Sequence, residues 1–252
     1  MKPRVLIPFA ACLAPLLAHA DAGADADGWT GKGQAGLLLS QGNTQAKSAN
    51  AALDLALVSG PWKHAFQAAT LYGQSGEITS AERWSAGWQS NYQFTQKMFG
   101  FGALRYARDQ FSGFQYQATA STGLGWKIID SESVKLTGQV GVGYSWYRPE
   151  VITKDTAGAV IARDLEPAVG ETVATAGLDY TQALSSTTSL SNKLAVEYGS
   201  SNTLLTDTLA LAVKMSDKLA LSVGLSLQNN SDPTAGLKKT DTVETVNLVY
   251  AF

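Results

Sequence analysis

Cysteine is almost absent from the 252-residue chain: Cys12 is the single one. Everything after it therefore lacks a thiol for a disulfide framework or a thiolate metal site. Cys12 has no leucine three residues before it, and the apolar run continues past it, which argues against a lipid anchor. Histidine is as scarce, with His19 and His64 alone. One histidine beyond the N-terminal stretch leaves little for serine–histidine chemistry, and no His/Cys cluster suggests a metal. No enzymatic role, cofactor or metal is expected. After residue 20 no run of 18 or more apolar residues occurs, which excludes a transmembrane helix. A basic excess is missing too. Lys2 and Arg4 account for two of the 19 basic residues, leaving 17 against 21 acidic ones. Nucleic acid has no electrostatic footprint here. Proline is scarce, at seven, which suits long strands, because proline cannot donate to a ladder.

The first residues have a purpose of their own. Lys2 and Arg4 precede a short apolar run, residues 5–17, and Ala18-His19-Ala20 is a small-x-small cleavage site. The pattern predicts a secretory signal peptide over 1–20, cleaved after Ala20. Residues 21–29 are then expected as a short periplasmic segment, and 30–252 as the folded unit.

Period two dominates that unit. In 219–229, LALSVGLSLQN, Leu219, Leu221, Val223, Leu225 and Leu227 alternate with Ala220, Ser222, Gly224, Ser226 and Gln228. Residues 134–147 and 84–94 repeat the pattern, which is that of strands and not helices. About twelve strands are predicted, near 30–41, 44–58, 62–73, 82–94, 98–109, 113–128, 133–148, 170–184, 187–200, 202–216, 219–229 and 240–252. Many run 11–16 residues, against about 5–6 in soluble sheets, and match a tilted strand crossing a bilayer. Tight connections at 59–61, 95–97, 129–132, 185–186 and 216–217 alternate with mostly longer ones at 74–81, 110–112, 149–169 and 230–239. The connections at Gly42-Asn43, a two-residue turn signal, and at Ser200-Ser201 break the rule. Short periplasmic turns and longer outer loops mark an outer-membrane barrel.

The two faces of each strand sort accordingly. Apolar faces are expected to be free of charge over their central stretches, since a lipid-facing lysine or arginine costs about 2–4 kcal/mol at midplane. Lys32, Asp54, Lys63, Arg105, Lys127, Lys135, Asp179, Lys193, Glu197 and Lys214 fall on the opposite face. Trp62, Tyr72, Trp84, Tyr92, Phe94, Trp126, Tyr144, Trp146 and Tyr198 gather towards strand ends as interfacial girdles. His64 points outward with Trp62 and Phe66. Lipid offers no water to an open sheet edge, so the sheet must close. The fold class is all-β, a transmembrane antiparallel up-and-down barrel of about twelve strands. Its closing strand ends VETVNLVYAF, with Leu248, Tyr250 and Phe252 on the lipid side. Those three residues resemble the C-terminal signal read by barrel-assembly machinery.

Four stretches carry a family resemblance: SQGNTQAKS (40–48), RYARDQFSGFQYQATASTGLGWKI (105–128), GQVGVGYSWYRPE (138–150) and DPTAGLKKTDTVETVNLVYAF (232–252). In this order and spacing the chain resembles the YdiY-like, salt-induced outer-membrane protein family, domain of unknown function 481. The resemblance implies an outer-membrane barrel with no settled activity and an association with salt stress.

The lumen is where function is expected. Arg105, Arg108 and Asp109, at the outer end of the fifth strand, read either as a solute-selecting constriction or as an ion pair tying loop to wall. Asp54, Asp179, Lys193 and Glu197 are further lumen candidates. Lys63, Lys127, Lys135 and Lys214 sit near periplasmic turns, where they would give a weakly cationic mouth. Gly123, Gly125, Gly141, Gly143, Ser222 and Gly224 are expected to leave room for water. The expected function is a narrow passive channel for ions or small solutes in the bacterial outer membrane. The alternative is a non-conducting structural or surface-interaction barrel with the 149–169 loop as its contact. Expected partners are outer-membrane lipid, lipopolysaccharide and, during biogenesis, the assembly machinery.

Overall fold

The computed structural model describes residues 27–40, 46–156, 159–234 and 237–252. The predicted signal peptide, its cleavage site and the Gly42-Asn43 turn lie outside the described residues. Thirteen strands and no helix occur among the described residues: β1 (Gly28–Ser40), β2 (Ala46–Ser59), β3 (Trp62–Ser75), β4 (Ile78–Gln93), β5 (Met98–Asp109), β6 (Phe114–Asp130), β7 (Val134–Lys154), β8 (Val160–Leu165), β9 (Val169–Ala183), β10 (Thr188–Tyr198), β11 (Thr203–Lys214), β12 (Leu219–Asn230) and β13 (Thr240–Ala251). All but β8 form one antiparallel ring. Each strand pairs with its neighbour in sequence, β7 pairs with β9, and β13 returns to β1. The ring is a closed twelve-strand barrel.

The alternation seen in the sequence becomes an inside-out distribution. Buried positions are largely polar: Asp54, Arg83, Thr119, Asp179, Thr206, Gln228 and Asn247 are all under 9% exposed. Large apolar side chains line the outside, among them Leu37, Val142, Val223 and Val246. This is the arrangement lipid requires outside and a hydrated chain requires inside. Aromatics form two belts. Trp29 stacks on Phe66, and His64 lies between Trp62 and Trp88 at the end bearing the termini. Trp84, Tyr106 and Tyr116 stack in a row towards the far end.

Three expectations need correction. Residues 149–169 are no plain loop: β7 continues to Lys154 and β8 folds back on it as a hairpin beyond the ring. β-branched Val151, Ile152 and Thr153 supply the strand preference. Residues 74–81 are mostly strand as well. Ser75 pairs with Ile78 around a tight turn whose Gly76 has φ of 61°, in the left-handed region glycine tolerates. Finally, the lipid face is not free of charge. Asp207 on β11 and Glu244 on β13 share the outward parity of Leu209 and Val246. Asn192 donates to Asp207 at 2.7 Å, partly satisfying that carboxylate.

The closing seam explains the aromatic end. The β1–β13 ladder runs from Lys32–Ala251 to Ala35–Leu248, shorter than its neighbours. Phe252 lengthens it: Gly31 N–H donates to Phe252 O at 3.0 Å, and Phe252 N–H donates to Gly31 O at 2.9 Å. The Phe252 ring lies where a Cβ on Gly31 would stand, 2.6 Å away. Further along, Asn50 donates to Asn247 across Gly36 at 2.8 Å, bracing the seam from inside.

Candidate functional site

Side chains occupy the lumen at three levels. Towards the loop end, Arg105 on β5 reaches Glu197 on β10 with three strands between them. Its Nε and Nη2 donate to the two carboxylate oxygens at 2.9 Å each. The Thr119 hydroxyl donates to the same carboxylate at 2.9 Å. A bidentate guanidinium–carboxylate pair with a third donor is among the stronger and more directional polar contacts. Beside it, Arg83 on β4 donates to Gln228 on β12 at 3.1 Å, nearly across the full diameter, and lies 3.9 Å from Asp109. Arg83 and Gln228 are 6% and 4% exposed, so the lumen is filled at this level. A small cavity persists next to Arg105 and Glu197, lined also by Gln117, Ser145, Tyr147 and Glu171.

The middle level holds two ion pairs on nearly opposite walls. Lys32 and Asp54 face each other across β1–β2 at 3.8 Å. Lys193 and Asp179 do the same across β10–β9 at 3.5 Å. Opposed pairs of alternating sign cancel most of the field either would impose on a passing ion.

Near the termini end the fill is different. Gln89 on β4 donates to Gln139 on β7 at 3.3 Å. Phe99 and Phe101 point inward and are buried. Their rings occupy the space over the glycine row: a Cβ on Gly125 would fall 2.1 Å from Phe99 Cζ, and one on Gly141 3.0 Å from Phe101 Cζ. Gly123, Gly125 and Gly141 were expected to leave room for water. They seat phenylalanine rings instead.

Arg105, Asp54, Asp179, Lys193 and Glu197 thus converge in the lumen, and Asp109 reaches it beside Arg83. Arg108 does not. It is exposed on the outer wall, opposite Trp84 in register, because strand alternation separates it from Arg105 and Asp109. The lysines near the termini end are not one group. Lys127 and Lys135 flank Asp130, which lies 4.0 Å from Lys127. Lys63 and Lys214 sit on the distant strands β3 and β11. Arg83, Phe99 and Phe101 are lumen residues that pattern reading missed. The two phenylalanines share the odd parity of Arg105, which was a usable signal. Among the described residues, no group of three or more His, Asp or Glu could hold a metal ion.

At the loop end, β7–β8 is tied down. Glu150 pairs with Arg163, which also donates to Gln110 O at 2.8 Å. The Phe111 ring takes Lys154 and Arg163 at 5.7 and 5.9 Å. The Thr234 hydroxyl donates to Gly113 O at 2.9 Å. The hairpin and neighbouring loops are thereby fixed to the rim around Gly113.

Known structures share this architecture. The translocator domain of the autotransporter NalP from Neisseria meningitidis aligns with TM-score 0.50 and 16% identity, over 91% of this chain and 90% of that one. An outer membrane channel from Pseudomonas putida F1 aligns with TM-score 0.51 and 11% identity, over 94% of this chain and all of that one. Such identities speak for the barrel fold alone. No curated protein matches the sequence. A family model described as protein of unknown function, DUF481, matches residues 33–252, nearly the whole barrel, and the chain belongs to that family.

Proposed function

We propose that the chain is a bacterial outer-membrane barrel whose lumen is a narrow passage for ions or small solutes, closed at rest by its own side chains. In this reading a leader ending at Ala20 directs export. The termini end faces the periplasm, since its turns are short, and the β7–β8 hairpin faces outward. The observation that carries the reading is the nature of the fill. The contacts at the upper and middle levels are made by charged, amide and hydroxyl side chains, so rotamer changes can open the path without moving the wall. A barrel that never needed a wet interior would gain from apolar fill, because buried ion pairs are often less stabilising than well-packed hydrophobic groups. An association with salt stress, which the family resemblance implies, belongs to the same proposal. No enzymatic step is part of it.

One observation favours a second reading. Phe99 and Phe101 fill part of the lower lumen by ring packing on glycine, which suits a barrel that does not conduct and acts through its outer hairpin. Planar-bilayer recording of refolded protein spanning residues 21–252 decides between them. Discrete conductance steps support the passage. A folded barrel that stays silent at all voltages overturns it and leaves the structural reading.

A further inference from the structure

The outer wall carries a feature the lumen does not use. Across four neighbouring strands on the lipid-facing side runs the row Trp84 (β4), Arg108 (β5), Tyr116 (β6) and Arg148 (β7). Trp84 is opposite Arg108 in register, and Tyr116 is opposite Arg148. Arg108 faces the irregularity in β6 where Tyr116 lies. Aromatic and guanidinium groups therefore alternate along the row. Just below it Tyr106 stacks on both Trp84 and Tyr116, with centroids 4.9 and 6.2 Å away. The aromatic part is a continuous shelf.

The two arginines are placed unusually. Lipid-facing positions of β5 and β7 below the row are uncharged: Gly100, Gly102, Leu104 and Tyr106 on one strand, Val140, Val142, Tyr144 and Trp146 on the other. The charge begins abruptly at the outer edge of the aromatic belt. Arg108 has no ion pair or hydrogen bond among the described residues. Arg148 spends Nε on Glu166 O at 3.0 Å, which leaves four of its five N–H donors. Two strand spacings separate the two backbones, about 10 Å, so both guanidinium groups can reach one ligand.

We infer that this row binds a phosphorylated glycolipid of the surrounding outer leaflet. The chemistry matches in three respects. Guanidinium forks take phosphate oxygens in paired hydrogen bonds. The stacked aromatics lie at headgroup depth, where Trp and Tyr are enriched, and give the sugar rings an apolar surface beside the two guanidinium groups. Acyl chains continue along the uncharged wall beneath. The inference rests on the outward placement of this end proposed above.

The test uses refolded protein in neutral detergent, with diphosphoryl lipid A as the probe and its dephosphorylated form as the comparison, read by native mass spectrometry. Wild-type protein should prefer the phosphorylated form. The variant Arg108→Gln/Arg148→Gln should bind it about 30-fold more weakly, as expected for the loss of two interfacial arginines, and should lose the preference. Arg108→Gln alone leaves the Arg148–Glu166 contact untouched and should give part of the loss. The control Lys97→Gln/Lys218→Gln removes the same charge from the opposite turns and should bind as wild type. A wild-type barrel without preference, or an equal loss in the control, overturns the site. Conductance is not read, so this result and that of the bilayer experiment stand or fall separately.

Discussion

Glu197→Gln is the sharpest perturbation of the lumen. It keeps the size of the side chain and an oxygen for the Thr119 hydroxyl, but removes the charge that holds Arg105. Hydrogen bonds to charged groups contribute about 1.5–3 kcal/mol each, and Arg105 makes two of them. The partners are 17% and 19% exposed, so solvent screening takes back part of that sum, and about 2 kcal/mol for the pair is a working figure. If the pair closes the passage, losing it shifts the open-to-closed ratio by about 30-fold, at 1.4 kcal/mol per decade. Single-channel recording reads that ratio as open probability. Arg105→Gln should act alike, and the double variant should add little, because each single change already breaks the pair. A double-mutant cycle in urea unfolding should return a coupling of about 2 kcal/mol. The reasoning is refuted if folded single variants open no more often than wild type, or if the two changes are additive within about 0.5 kcal/mol.

Other parts of the structure are equally exposed to test. Gly125→Leu should destabilise the barrel by about 1–3 kcal/mol through overpacking against Phe99, and Phe99→Ala in the same chain should recover most of it in urea titration. Deleting Phe252 removes both hydrogen bonds to Gly31 and the ring over it, so refolding yield, read by heat-modifiable migration on gels, should fall; Phe252→Ala, which keeps the backbone bonds, should fall less. Val223→Arg on the lipid face should cost about 2–4 kcal/mol if the position lies near midplane. Replacing Asp207 and Asn192 together by leucine should raise stability in bilayers, since both occupy outward positions among leucines; unchanged or lower stability would show that the polar pair has another partner.

The wall was legible from the residues, and the fill was not. Alternation in β12 named Ser222, Gly224 and Gln228 as inward and Leu221, Val223 and Leu225 as outward, because the period of a strand fixes the face without further information. It also named Asp54, Asp179, Lys193 and Glu197 as lumenal. It could not pair Arg105 with Glu197 or Arg83 with Gln228. Those contacts join strands remote in the ring, and which heights meet depends on strand stagger around the whole barrel. Glycine misled for a related reason. Gly125 is small in the sequence, but what stands over it is Phe99 from the next strand. The 149–169 segment was read as a long loop; in the structure it pairs with itself, from Glu150 with Leu165 to Lys154 with Val160.

The distribution of rigidity follows from the two kinds of bond. Backbone ladders join every neighbour in the ring, and in lipid an unpaired backbone group costs several kcal/mol, so the wall has no cheap way to part. The seam between β1 and β13 is the exception by length, and there Phe252, Asn50 and Asn247 add contacts the ladder lacks. The fill is held by side chains alone. A side-chain pair can exchange partners with water at a cost of a few kcal/mol, far less than any rearrangement of the ring. If the proposed passage exists, its upper and middle levels are governed by Arg105–Glu197, Arg83–Gln228 and the Lys32–Asp54 and Lys193–Asp179 pairs, and its lower level by Phe99 and Phe101. Among these, Arg105–Glu197 has the shortest and best-directed contacts, and the looser ion pairs at 3.5–3.9 Å adjust around it. If the lumen opens, that pair should be the last to part, and its strength should set the open-to-closed ratio.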